Sequence, residues 1–379
     1  MRRIALFPSA FHPSLGGVEE LTGQLALNFV KRGLGVMIFT NRWPRDLPST
    51  EQWKGVALRR LPLRLPENGL KSRLGAWLTR RTVYRELLAQ VRDFGADVIH
   101  VQCVSSNGWY ASAVAAQLGV PLVVTAQGEL TMDAGGLYQK SPFHNRLLQG
   151  VLGSAQRVTG CSRSTLGDLE AFFGCPFGLR GTVVHNGVGL EAFESGASWV
   201  HTAPYFLGIG RIVPQKGFYE LIKAYAASGV TEIDLLLAGE GPDMGRLLAL
   251  RAELGLCGRV HFLGRAGRAA VHSLMRGATG VVVPSLREPF GIVSLEAMAA
   301  GKALLASCVG GIPEVVPEGA GVRLVPPGEV DALAEGLRWL GGGATGDCAE
   351  GLRRHAMRFV WPRIAERYLS VYREAVVAA

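Results

Sequence analysis

Glu288-Pro-Phe-Gly-Ile-Val-Ser-Leu-Glu296 places two carboxylates at the two ends of one short unit. Val281-Val-Val-Pro-Ser285 precedes it and reads as a buried strand. Leu295-Glu-Ala-Met-Ala-Ala300 follows and reads as a helix stopped by Gly301. Glu288 therefore sits on the loop after a strand. The helix N-terminus falls near Phe290, Gly291, Ile292 and Val293, and Glu296 lies a turn further in. Free N–H groups at a helix start, with the positive end of the dipole, favour an anion such as a diphosphate. Carboxylates accept hydrogen bonds from hydroxyl groups, so the flanking pair suits neutral polyol parts of a ligand. Sugar, diphosphate and ribose in that order describe a nucleotide sugar.

The unit resembles the E-x7-E motif of retaining glycosyltransferases of family 4, and the likeness extends over nearly the whole chain. The resemblance implies an α/β protein of the GT-B fold. Two Rossmann-like domains would face each other across a cleft, with a C-terminal helix crossing back to the first.

Working outward, strand-like apolar runs alternate with helical patterns, which is the α/β signature. Strands are expected at residues 3–7, 36–40, 98–101, 122–125, 157–160 and 182–185. A second series falls at 205–209, 233–238, 259–263, 280–284, 303–307 and 322–325. Helical pattern covers 18–32 and 70–94. In the latter, Leu70, Leu74, Trp77, Leu78, Tyr84, Leu87, Leu88 and Val91 form an apolar stripe that suits either a core or a membrane surface. Residues 187–202 show little periodicity and read as the interdomain linker. The expected organisation is an acceptor domain at 1–190, a donor domain at 204–360 and a returning helix at 361–379.

Further motifs gather at strand ends. Gly16-Gly17 open the first helix, where glycine lets the backbone approach a ligand; the resemblance places this loop against the donor diphosphate. Gly208-Ile-Gly210-Arg211 and Lys216-Gly217 follow the first strand of the second series. They set two cations five residues apart, Arg for bidentate contact and Lys as a point charge. They match the family's G-R-x-x-x-x-K-G segment. The dinucleotide fingerprint G-x-G-x-x-G fails here, because Val213 stands at its third glycine. By resemblance, the loop at Leu263 and Gly264 packs on the nucleobase. Gly310-Gly311-Ile-Pro-Glu314 resembles the G-G-x-x-E turn near the donor, while Glu314 equally suits the first turn of a helix.

One departure from the family stands at Thr125-Ala-Gln127-Gly128-Glu129, where Gln127 takes the usual His position. Glutamine keeps hydrogen bonding but cannot hold a proton charge. Gln127, Gly128, Glu129 and Asp133 become candidates for acceptor contacts. His100 ends a buried strand and either lines the cleft or is a satisfied core histidine. No D-x-D triplet occurs, so a carboxylate metal site for the diphosphate is not indicated. No cofactor is expected, and Arg211, Lys216 and helix N-termini would take a metal's place.

Composition narrows the class. The 379 residues, 48% hydrophobic, suffice for two ordinary domains, and no apolar run approaches the ~18 residues of a membrane helix. The start, Met1-Arg-Arg3 then an apolar run broken by Pro8, reads as a first strand rather than a signal peptide. Six cysteines without a C-x-x-C pair suggest buried, reduced thiols in a cytoplasmic protein. Residues 1–190 carry 21 Lys+Arg against 12 Asp+Glu, whereas the rest carries 19 of each. Much of the excess lies at Arg59, Arg60, Arg64, Lys71, Arg73, Arg80, Arg81, Arg85 and Arg92. No aromatic-interleaved or zinc-knuckle pattern accompanies it, which argues against nucleic acid. A solvated helix face, an anionic membrane surface and an anionic glycan acceptor remain.

The function expected by resemblance is transfer of a hexose, with retention, from a UDP- or GDP-sugar to a hydroxyl of a glycan or lipid-linked acceptor. The setting would be surface polysaccharide biosynthesis at the inner face of a bacterial membrane. Glu288, Arg211 and Lys216 would carry catalysis, and Glu296 would hold the ribose. A nucleotide-sugar epimerase and a catalytically silent nucleotide-sugar-binding protein are the alternatives.

Overall fold

In the computed structural model, β1 (Arg3–Pro8) begins a sheet whose central strands are buried on both faces, Ile4, Ala5, Leu6 and Phe7 being inaccessible. The structure describes all residues except 15, 66–69, 134, 195, 318, 320 and 344–347, and only the backbone of 70–79. The chain divides into two compact units, residues 1–186 with 361–379, and residues 187–360.

In the first unit β1 leads to α1 (Gly17–Val30), β2 (Gly35–Asn41), β3 (Thr50–Trp53), β4 (Val56–Leu61) and α2 (Leu70–Phe94). Then come β5 (Val98–Gln102), α3 (Ser106–Leu118), β6 (Leu122–Ala126), α4 (Leu137–Lys140), α5 (Pro142–Ser154), β7 (Arg157–Gly160), α6 (Arg163–Phe173) and β8 (Gly181–Val183). The sheet order is β3-β4-β2-β1-β5-β6-β7-β8, and all neighbours are parallel except β3 and β4. That hairpin turns on Lys54 (φ 46°) and Gly55 (φ 83°), the two left-handed positions that a tight hairpin needs. Local caps fix the helices: Ser141 precedes Pro142 and accepts from the His144 N–H, and Ser162 accepts from the Thr165 N–H at 3.0 Å.

The second unit runs α7 (Glu191–Glu194), β9 (Tyr205–Ile209), α8 (Phe218–Ser228), β10 (Asp234–Ala238), α9 (Met244–Glu253), β11 (Val260–Gly264) and α10 (Arg268–Gly277). It continues with β12 (Gly280–Val283), α11 (Ile292–Ala299), β13 (Leu304–Ser307), α12 (Ile312–Val315), β14 (Val322–Val325), α13 (Val330–Gly341) and α14 (Ala349–Ala356). Its six strands are parallel in the order β11-β10-β9-β12-β13-β14, the doubly wound arrangement. Order reverses between β9 and β12, which makes the C-terminal ends of these two strands the topological switch point, where open α/β sheets bind ligands.

Helix α15 (Trp361–Val377) returns to the first unit. Trp361, Ile364, Ala365, Tyr368, Leu369 and Tyr372 recur at helical spacing and are buried with Ile4, Leu6, Leu21 and Phe29. The opposite face of that sheet is covered by α2, α3 and α5.

Several expectations are corrected. Residues expected as the interdomain linker are held to α10: Arg276 donates to the Ala192 and Ala197 carbonyls, and the Trp199 N–H donates to the Ser273 carbonyl at 2.9 Å. Among the described residues, Cys161 is buried, Cys103 and Cys348 are half-buried, and Cys175, Cys257 and Cys308 are exposed. Arg60 is no surface cation, being buried and paired with Glu51 at 2.7 Å. On α2, Val83, Leu87 and Val91 face the core, the core reading of the two for that part of the stripe. The side chains of Leu70, Lys71, Arg73, Leu74, Trp77 and Leu78 lie outside the described residues.

Candidate active site

The loops after β9 and β12 meet because one residue between them lacks a side chain. Gly217 has φ +69°, and a Cβ there would lie 1.9 Å from the Pro284 carbonyl oxygen. The Gln215 carbonyl accepts from the Leu286 and Arg287 N–H groups at 2.8 and 3.1 Å. This close approach delivers Lys216 to Glu288: Nζ lies 2.6 Å from Oε2. Ser285 Oγ donates to the same oxygen at 3.1 Å. The loop after β13 supports Glu288 from behind. Gly310 has φ +56°, a Cβ there would sit 1.8 Å from the Glu288 carbonyl oxygen, and the Gly311 N–H donates to that oxygen at 3.1 Å. Three strand ends thus fix one carboxylate, which is 7% exposed.

Arg211 is exposed on the β9 loop, and Gly210 has φ +158°. Gly291, with φ +94°, caps α11, and Phe290 is buried. Ile292 and Val293 form the first turn, whose N–H groups have no intrahelical acceptors. Glu296, a turn further in and 3% exposed, accepts from Arg268 Nη1 at 2.6 Å. Arg268, the first residue of α10, escaped the sequence reading; only the fold brings it to Glu296. Leu263 and Gly264 end β11, and the Gly264 carbonyl accepts from the Gly239 N–H at 2.8 Å. The second unit therefore gathers Gly210, Lys216, Glu288, Gly291 and Glu296 at the C-terminal edge of its sheet.

In the first unit, Gly16 is extended and Gly17 starts α1 with open space at its Cβ position. Gln127 Oε1 accepts from Asn186 Nδ2 at 2.9 Å. Gly128 has φ +101°. Glu129 turns inward rather than outward: its carboxylate accepts from the Val104 N–H and from the Gln127 N–H, the latter at 2.8 Å. Burial raises its pKa. It clamps the loops after β5 and β6. Asp133 accepts from the Tyr138 N–H at 3.2 Å. His100 is the satisfied core residue of the two readings. It is inaccessible, hydrogen-bonded to Tyr372 Oη and to Thr125 Oγ1, and burial pushes its pKa down to about 3. Arg42 and Arg45, unnoticed in sequence, line with Pro62 and Arg64 a cavity of about 260 Å³ beyond the ends of β2 and β4.

Among the described residues, the group with metal-ligand spacing is His201, Asp234 and His261. It lies at the N-terminal ends of β9, β10 and β11, the opposite edge of the sheet from Glu288.

The second unit is thus a doubly wound parallel sheet with a carboxylate–ammonium pair and a helix N-terminus at its switch point, the place where such sheets bind ligands. The model of the glycosyl transferases group 1 matches residues 193–341, and that of the glycosyl transferase 4-like domain matches residues 16–187. The chain is 30% identical to a D-inositol 3-phosphate glycosyltransferase from Saccharomonospora viridis, over 96% of this chain and 90% of that one. Its fold is similar to sucrose-phosphate synthase from Thermosynechococcus elongatus, with TM-score 0.80, 23% identity and complete coverage of both chains. It is also similar to Anabaena HepE solved with UDP, with TM-score 0.75 and 20% identity over 98% of this chain and 99% of that one. The chain belongs to glycosyltransferase family 4 and has the GT-B fold.

Proposed function

We infer that this glycosyltransferase moves a hexose, with retention, from a UDP-sugar to a hydroxyl of an anionic acceptor. The observation that carries this reading is the Lys216–Glu288 pair at the switch point of the second unit. Its two partners suit the two halves of the donor's reacting bond. Lys216, with Arg211 and the first-turn N–H groups of α11, offsets negative charge that grows on the departing diphosphate. Glu288 accepts hydrogen bonds from the sugar hydroxyls. Glu296, oriented by Arg268, accepts from the ribose hydroxyls. No metal is needed for the diphosphate in this scheme.

The bond from the anomeric carbon to the diphosphate breaks while the bond to the acceptor oxygen forms on the same face. The leaving phosphate oxygen takes the acceptor's proton, so no protein nucleophile is required. Solved HepE complexes with UDP and with UDP-glucose support a uridine donor. For the acceptor, two features agree: the relatives named for D-inositol 3-phosphate, and the three guanidinium groups of Arg42, Arg45 and Arg64. A polyol phosphate or a phosphate-linked lipid glycan has the required charge. Among the described residues, the exposed cations of α2, Arg80, Arg81, Arg85 and Arg92, suit the anionic inner face of a membrane in the lipid case.

The test is incubation of purified protein with UDP-glucose, UDP-galactose, UDP-N-acetylglucosamine and GDP-mannose, with and without inositol phosphate, following nucleotide release and the product anomer by NMR. An α-linked product from an α-donor supports the reading. A free sugar epimer, or binding without turnover under every condition, contradicts it.

A further inference from the structure

The linker segment before β9 ends in His201, and its imidazole is drawn to the N-terminal edge of the sheet. His201 Nε2 lies 2.9 Å from Asp234 Oδ2, and His261 Nε2 lies 3.2 Å from the same oxygen. The two rings are 5.0 Å apart and edge to face. Arg259 Nε donates to the other oxygen, Oδ1, at 2.7 Å. Nothing in the donor chemistry uses these four residues, which stand at the far edge of the sheet from Lys216 and Glu288.

The geometry points to a divalent zinc-class metal site formed by His201 Nε2, Asp234 Oδ2 and His261 Nε2. Zinc bonds to imidazole nitrogen and carboxylate oxygen are about 2.0–2.2 Å, so tetrahedral ligand atoms stand roughly 3.3 Å apart. The two nitrogen–oxygen separations, 2.9 and 3.2 Å, are close to that edge. All three ligand atoms fall within 4.8 Å of one another. The remaining edge, between the two imidazole nitrogens, lies within that 4.8 Å, and His261 is a third exposed. Two nitrogens and one oxygen are the donor set that borderline metals such as Zn2+ prefer. Arg259 supplies the outer hydrogen bond that orients a ligating carboxylate.

Binding displaces no covalent bond. Each imidazole would bind through Nε2 with its ring proton on Nδ1, and water would fill the open position. The three ligands come from the segment before β9, from β10 and from β11. The ion would therefore pin the incoming chain to the sheet edge, a structural role independent of transfer.

The experiment uses tag-free full-length protein, stripped with EDTA and desalted. Zn2+ is titrated calorimetrically, Co2+ is followed by its visible ligand-field absorption, and thermal melts are recorded with and without Zn2+. The expected result is one equivalent of Zn2+, four-coordinate Co2+ bands and a raised melting midpoint. His201→Gln and His261→Gln keep a hydrogen bond to Asp234 but remove the imidazole, and each should abolish all three signals. Arg259→Ala should weaken the affinity about 10–100-fold. Cys257→Ser, which removes an exposed thiol four residues before His261 in sequence, should change nothing. UDP-sugar turnover by the stripped protein should match that of the loaded protein at temperatures well below the melt. Absence of Zn2+ binding, or equal binding by the parent and both His variants, would overturn the proposal.

Discussion

The Lys216 ammonium and the Glu288 carboxylate, 72 residues apart in sequence, stand 2.6 Å apart in the second unit. Both are largely buried, at 17% and 10% side-chain exposure, and the loops carrying them touch through Gly217. Removing one partner leaves the other's charge poorly solvated. A double-mutant cycle with Lys216→Met and Glu288→Gln in urea should show a coupling of about 1–3 kcal/mol. Additive effects would mean that the pair is not formed in solution.

Gly310 tests whether the Glu288 backbone depends on its neighbour. Gly310→Ala places a Cβ against the Glu288 carbonyl in a left-handed conformation, so the loop after β12 or β13 must shift. Stability should fall by at least about 1–3 kcal/mol, and turnover should fall with it at temperatures where the variant stays folded. Gly150→Ala, in the interior of α5 with open space at its Cβ, should instead gain about 0.5–1 kcal/mol. Thermal and urea melts separate the two.

Arg268 orients Glu296 without lying on the sequence motif. Arg268→Ala should raise the donor KM on the order of tenfold, a cost of about 1.4 kcal/mol, and leave kcat nearly unchanged. Initial rates against donor concentration read the split; an equal fall in kcat would place Arg268 at the reacting bond instead.

His100 predicts an acid sensitivity of the first unit. Its pKa falls from an ordinary 6.5 to about 3 in the folded protein because burial disfavours the imidazolium. The unfolded chain therefore binds the extra proton first. The stabilisation is complete above about pH 6.5 and is lost as pH falls from there toward 3. At pH 5 the loss is about 2 kcal/mol. Glu129, whose pKa is raised, acts in the opposite sense, so the comparison is with His100→Gln. Urea melts at pH 7.5 and pH 5 should show a smaller drop in that variant than in the parent. Equal drops would contradict a neutral buried imidazole.

Much of the strand–helix alternation was legible because parallel strands buried on both faces read as apolar runs, as at Val281-Val-Val283. The hairpin of β3 and β4 was not. Its turn is Lys54-Gly55 rather than Asn-Gly, and β3, Thr-Glu-Gln-Trp, is polar at an exposed edge. Glu288 and Lys216 were legible as separate motifs, each tied to a strand end, but their contact depends on strand order. Arg268 and Glu296 meet for the same reason. Glu129 looked available for a ligand because sequence does not say where a loop carboxylate points; here two backbone N–H groups claim it. The cysteines read as buried from apolar neighbours, yet Cys175, Cys257 and Cys308 lie in turns or strand-end loops where the chain meets solvent.

The most direct test of the central claim is nucleotide release from UDP-sugars by the parent protein, Glu288→Gln and Lys216→Ala, with folding checked by melts. The account predicts turnover of one donor by the parent and a fall of roughly 10²–10³-fold in each variant while the fold persists. Turnover in either variant at the parent's rate would contradict the role given to this pair.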